Sequence, residues 1–222
     1  MVETKTKSPI RKIVVPGEFL AENNRKIGAN VFKEEGKIYS SVLGVYYPEA
    51  DVINVVPLKG HYSPRKNDIV IGIVVNETYN AYEIDIGTSV NPYVLKEYIR
   101  GYLKIHDIVS AQVYRVDEVK EVELRNVRLL RGGYVLTFTP VKAPRFIGKN
   151  NSMLDLLKKY TNCQMILGMN GRIWVKDGDT ELLKKALNLI ESSSHKPHLT
   201  TKVEEMLKGD NKWDQIIENQ TN

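Results

Sequence analysis

A single cysteine, Cys163, stands among the 222 residues of this chain. A disulfide needs two cysteines and a cysteine-based zinc site needs two to four, so both are excluded. Cys163 reads as a small core residue beside the amphipathic run LDLLKKY. The sequence also lacks any run of 18 apolar residues, the length at which a helix can span a bilayer. Its start, MVETKTKSPIRK, has no apolar signal-peptide core. These absences predict a soluble, cytoplasmic protein with no membrane partner. Histidine is scarce, and His61, His106, His195 and His198 have no nucleophile to pair with. His195 and His198 could chelate a metal, but two ligands do not make a site. Asp51, Asp85, Asp107 and Asp117 lie scattered over different strands, with no spacing that would gather two metal ions. The expectation is no catalytic residue, no metal and no cofactor.

What is present is enough apolar sequence for a core: 42% of residues are hydrophobic and 27% charged. The net charge of +5 leans mildly towards a polyanionic partner. Residues 1–62 read as short strands punctuated by Pro16-Gly17, Gly36, Gly44, Pro48 and Pro57. They predict a small all-β domain, with the charged stretch AENNRKIGANVFKEEGK as a solvated loop. GHYSPRKND, residues 60–68, is a linker. Alternating runs follow in DIVIGIVVNE, AYEIDIG, HDIVSAQVYRVD and EVELRNVRLL. Five strands within residues 63–131 fit an OB-type barrel. Residues 132–196 then run strand, helix, strand, strand, helix. Asn151 or Ser152 is expected to cap the first helix, and Asp179 or Thr180 the second. The remainder, 197–222, reads as a polar, loosely packed tail.

The stretch LGMNGRIWV, residues 167–175, admits two readings. Gly168, Met169, Asn170 and Gly171 match the GXXG loop with which K-homology domains clamp a nucleic-acid backbone. Asn-Gly between apolar runs is also a strong turn signal. In a K-homology domain the clamp follows the first strand and precedes a helix. That place is held here by Gly148-Lys149-Asn150-Asn151, where Asn151 replaces the second glycine and blocks close backbone approach. The clamp is therefore degenerate, leaving Lys149 as a lone phosphate contact. Gly168, Asn170 and Gly171 read instead as a structural turn between two strands, buried against a neighbouring domain.

The order of a turn-rich β domain, an OB barrel and a K-homology domain resembles the RNA-binding cap subunit of the archaeal exosome. The residues that carry the resemblance are VVPGEFL near the start, GHYSPRKNDIVIGIV at the first junction, and GMNG, which is similar to the G-x-N-G signature of that family. It covers roughly residues 10–210. The junction motif of the family has a glycine before the aspartate, where Asn67 stands here. The fold class implied is multidomain and mainly β, with a C-terminal type I K-homology domain of α+β character. The implied function is non-catalytic. Three copies cap a hexameric ring of phosphorolytic ribonuclease subunits, with a zinc-ribbon sibling as an alternative occupant. The N-terminal domains dock on the ring and the OB domains line its entrance. The cap captures single-stranded RNA, favouring adenine-rich 3′ tails, and feeds it in for 3′–5′ degradation. The single cysteine rules out the zinc-ribbon sibling. The alternatives are a free-standing translation or antitermination factor built from the same modules, and a nuclease in its own right.

RNA contacts are expected where aromatic and basic residues interleave. The segment YVLKEYIRGYLKIHD supplies Lys96, Tyr98, Arg100, Lys104 and His106. Tyr82 reads equally as a stacking platform or as a core residue. Arg65 and Lys66 flank the barrel, and Arg145 and Lys149 flank the degenerate clamp. Arg125, Arg128 and Arg131 look like a patch, but strict strand alternation puts Arg128 on the face opposite the other two.

Overall fold

β-branched and aromatic residues in runs of two to nine give sixteen strands among the described residues. The computed structural model describes residues 12–22, 25–193 and 199–209. His195 and His198 lie outside them, as does the sequence beyond 209.

The chain divides after Gly60 into two units. The first contains β1 (Lys12–Val14), β2 (Phe19–Glu22), β3 (Lys26–Ile27), β4 (Val31–Glu34), β5 (Lys37–Ser40), β6 (Gly44–Tyr46), β7 (Val52–Ile53) and β8 (Val55–Pro57). They form two three-stranded sheets, β1-β6-β8 and β2-β5-β4, and a parallel pair, β3 with β7. The core is small: Val14, Ile38, Tyr46, Ile53 and Val55. The stretch expected as a solvated loop carries β3 and β4. Pairing explains the difference, because β4 closes a hairpin onto β5 through Glu35 and Gly36, both at positive φ as a type I′ turn requires.

The second unit begins at the junction motif. Asp68 accepts hydrogen bonds from the Tyr62 hydroxyl at 2.8 Å and the Arg65 amide at 3.2 Å. Asn67 sits at φ +73°, which accounts for Asn or Gly at this place. A closed barrel follows from β9 (Ile69–Glu77), β10 (Ala81–Asp85), β11 (Tyr93–Leu95), β12 (Ile108–Val116) and β13 (Val122–Leu129), ordered β10-β11-β13-β12-β9. Val109, Ala111 and Val113 alternate into its core with Val70, Ile84 and Leu124. The segment after β11 makes one 3-10 turn, Lys96–Tyr98.

The rest of the unit comprises β14 (Tyr134–Thr137), α1 (Ala143–Ile147), α2 (Ser152–Thr161), β15 (Gln164–Leu167), β16 (Arg172–Lys176), α3 (Thr180–Ser193) and α4 (Leu199–Leu207). The sheet is antiparallel, ordered β14-β16-β15, with the helices burying Phe146, Leu157, Leu183 and Ile190. Asp179 caps α3 by accepting from the Leu182 amide at 2.9 Å. Asn151 does not cap α2 as expected. It stands at the cap position with φ +63°, and its side chain makes no capping bond. The expectation of a loose tail from residue 197 also needs correction. Leu199, Val203, Met206 and Leu207 form one apolar face of α4 and are buried against α2 and α3. No helix among the described residues is long and apolar enough to cross a membrane.

Candidate nucleic-acid interface

The GMNG turn between β15 and β16 meets the barrel where β10 has run out. β10 pairs with β9 no further than Ile73, which leaves the start of β9 without a strand neighbour on that side. Asn170 fills the gap. Its Oδ1 accepts from the Ile71 amide at 3.1 Å, and its Nδ2 donates to the Ile71 carbonyl at 2.8 Å. The carboxamide thus imitates the peptide group of an antiparallel partner. The second Nδ2 hydrogen goes to the Ile86 carbonyl at 2.9 Å. Met169 adds a backbone bond to the Ile69 carbonyl at 2.8 Å. Asn170 is 6% exposed and both its N–H donors are used, so none is left for a phosphate. The flanking glycines are needed for contact. A Cβ on Gly168 would lie 2.8 Å from the Ile71 amide, and one on Gly171, at φ +78°, 2.4 Å from the Phe138 carbonyl.

Arg172 extends this junction. Its guanidinium donates to the Asp85 carbonyl at 2.8 Å and to the Asp85 carboxylate at 2.7 Å. Burial pushes the Asp85 carboxyl up, but the Arg172 hydrogen bond, the Gly87 amide and the Arg172 charge outweigh it and hold the group below the usual carboxylate range. The sign follows. This pair's stabilisation is present above the ordinary carboxylate pKa and is lost as pH falls through the lowered one. Acid unfolding of Arg172→Ala should therefore begin at higher pH than that of the wild type, followed by circular dichroism. Coincident acid transitions would show that the pair contributes nothing.

Residues 11–59 match the family model described as the exosome RNA binding protein RRP4 N-terminal domain. Residues 133–181 match a KH domain. An exosome complex component Rrp4 of Methanothermus fervidus is 41% identical over 212 residues, covering 89% of this chain and 95% of that one. The chain belongs to the Rrp4 family. The Rrp4 of Methanosarcina mazei is 38% identical, with 90% of this chain and 83% of its own length covered. A crystal structure described as that of an exosome complex RNA-binding protein shares the fold, with TM-score 0.60 and 21% identity over 68% of this chain and 98% of its own. A free-standing translation or antitermination factor would leave the N-terminal match without a purpose.

In this Rrp4-family chain the expected RNA contacts separate into four places. Arg65 and Lys66 line a recess with Tyr114 and Arg115. Tyr98 and Arg100 line a second, with Gln112, Asn126, Arg128 and Ile166. Lys104 and His106 line a third, with Tyr102 and Arg131. Arg145 and Lys149 stand exposed around α1 and join none of these.

Of the two readings open for Tyr82, platform or core, the fold selects the core. It is 2% exposed, and its hydroxyl accepts from the Leu103 amide at 3.4 Å, so no base can reach its ring. Lys96 is not a free cation. Its Nζ stands 2.6 Å from Glu77, whose carboxyl is held below its usual range by hydrogen bonds from Lys96 and Tyr102.

Strict alternation also breaks within β13. Asn126, at φ +53°, is a bulge residue: Ser110 pairs with Arg128 and Gln112 with Arg125, so between these pairs Ala111 of β12 faces two residues of β13, Asn126 and Val127. Arg125 and Arg128 therefore share the outer face. An asparagine inside a strand pattern was the available sign of this.

Proposed function

We propose that this chain is a non-catalytic RNA-binding subunit of an exosome, which captures single-stranded RNA and hands it to a ring of phosphorolytic ribonuclease subunits. The observation that carries this reading is the co-occurrence, in one Rrp4-family chain, of the Rrp4 N-terminal domain with a barrel that presents unpaired cations. The Arg100 and Lys104 side chains are exposed and make no hydrogen bond or ion pair among the described residues, and the His106 side chain is exposed beside them. Arg100 and Lys104 are the cations of this group. Such cations release counterions when they meet phosphates and so drive salt-dependent capture. Among the described residues no three His, Cys, Asp or Glu side chains converge as a metal site. The chemistry of degradation belongs in this reading to the ring. Three copies cap the ring, with the first unit as the docking platform, and the cytoplasm is the place of action.

Arg100→Ala with Lys104→Ala in the reconstituted complex tests this. RNA affinity should fall, and the slope of log affinity against log salt should flatten by about 0.7 for each lost phosphate contact. Ring binding and thermal midpoint should not change. Unchanged affinity and slope would place RNA away from both side chains.

A further inference from the structure

The bulge at Asn126 has a geometric consequence. It joins two of the recesses into one surface on the outside of β12 and β13. Tyr114 lines the recess of Arg65, Lys66 and Arg115. Tyr98 lines the recess of Arg100, Gln112 and Arg128. Between them the Arg125 guanidinium lies 3.5 Å from the Tyr114 ring centre and 4.3 Å from that of Tyr98. Glu123, itself 8% exposed, holds Arg125 in place at 3.0 Å. The guanidinium is thus fixed between the two rings and its charge largely balanced, while Tyr98 and Tyr114 stay 41% exposed on either side of it. The free cations stand at the two ends. Arg65, Lys66, Arg100 and Arg128 are exposed and make no side-chain hydrogen bond or ion pair among the described residues.

We propose that this face is a single-stranded RNA track, running from Arg65 and Lys66 across the Tyr114–Arg125–Tyr98 stack into the recess between the barrel and β15. The proposal deepens the RNA-binding reading above and rests on it. The chemistry selects RNA over an acidic peptide. A peptide of carboxylates would be served by the cations alone, whereas stacked planes between two cationic ends suit a base flanked by phosphates. The far recess offers amides as well as charge. The Asn126 Nδ2 donates to the Gln112 Oε1 at 2.7 Å, so the two carboxamides are held side by side, with donor and acceptor positions left over for base edges. From Ser110 to Arg115 the strand rises about 17 Å, a span that suits the short single-strand sites of OB folds.

The test uses the full chain and labelled oligoadenylate, with affinity measured by fluorescence anisotropy over a range of salt concentrations. Arg128→Ala should weaken binding and lower the salt slope by about 0.7, as one lost phosphate contact does. Tyr98→Leu should weaken binding about tenfold at an unchanged slope, because stacking involves no counterion. Tyr98→Phe should restore wild-type affinity. Thermal melts establish that each variant is folded. If the wild type binds no oligoadenylate at low salt, the RNA-binding reading itself fails. If the wild type binds and both Arg128→Ala and Tyr98→Leu bind as tightly, the track is overturned and RNA lies elsewhere on the molecule. If polyglutamate competes with RNA on the wild type and Tyr98→Leu changes nothing, the face is a general polyanion surface and the track is overturned as well.

Discussion

Asn170→Ala will lower the thermal midpoint of the second unit by roughly 10 °C while leaving RNA affinity per folded molecule nearly unchanged. The substitution removes three hydrogen bonds at once and strands the Ile71 amide and the Ile71 and Ile86 carbonyls. Each buried group left unpaired costs about 1–3 kcal/mol, so a total on the order of 3 kcal/mol or more is expected. Asn170→Asp should be at least as damaging, since a carboxylate can accept from Ile71 but would face two carbonyl oxygens with no proton to offer. Gly171→Ala should destabilise for a different reason, the 2.4 Å approach of its Cβ to the Phe138 carbonyl at positive φ. Differential scanning calorimetry and RNA titration on the same samples separate the two effects. A collapse of RNA binding at an unchanged midpoint would make GMNG a nucleic-acid clamp and overturn its role as the link between barrel and sheet.

Deleting residues 1–60 should abolish association with the ribonuclease ring, while the rest of the chain keeps its fold and its RNA affinity. The division after Gly60 and the separate core of Val14, Ile38, Tyr46, Ile53 and Val55 mean that the deletion removes a whole unit rather than half of one. That unit exposes large apolar side chains, among them Ile13 at 66%, Phe19 at 47% and Val56 at 46%, which favours a protein partner over solvent. Size-exclusion chromatography with the ring subunits reads the outcome. Co-elution of the truncated chain would move docking to the barrel or the K-homology domain.

Local pattern set the type of most elements. Alternation marked four of the five barrel strands, the three residues of β11 being too few to show a period, Asp179 announced the start of α3, and Pro16-Gly17 marked a turn. α4 shows how an average misleads. Its segment is polar overall, yet Leu199, Val203, Met206 and Leu207 recur at helical spacing, and that period, not the mean, decides burial. Tyr82 was undecidable from alternation alone, because an aromatic on an apolar face fits both a core and a platform. Only the closure of the barrel gave it neighbours on all sides.

By itself the sequence determined the three modules, their order and the supply of basic and aromatic residues, because these depend on residues close together in the chain. Which of those residues meet was decided by the tertiary structure. The carboxamide of Asn170 finds its partners at Ile71 and Ile86, 99 and 84 positions away, and nothing local encodes such a pairing. The bulge at Asn126 reverses the inside–outside parity of the β13 residues beyond it, because a strand's side chains alternate with period two. One extra residue is enough to bring Arg128 onto the face of Arg125.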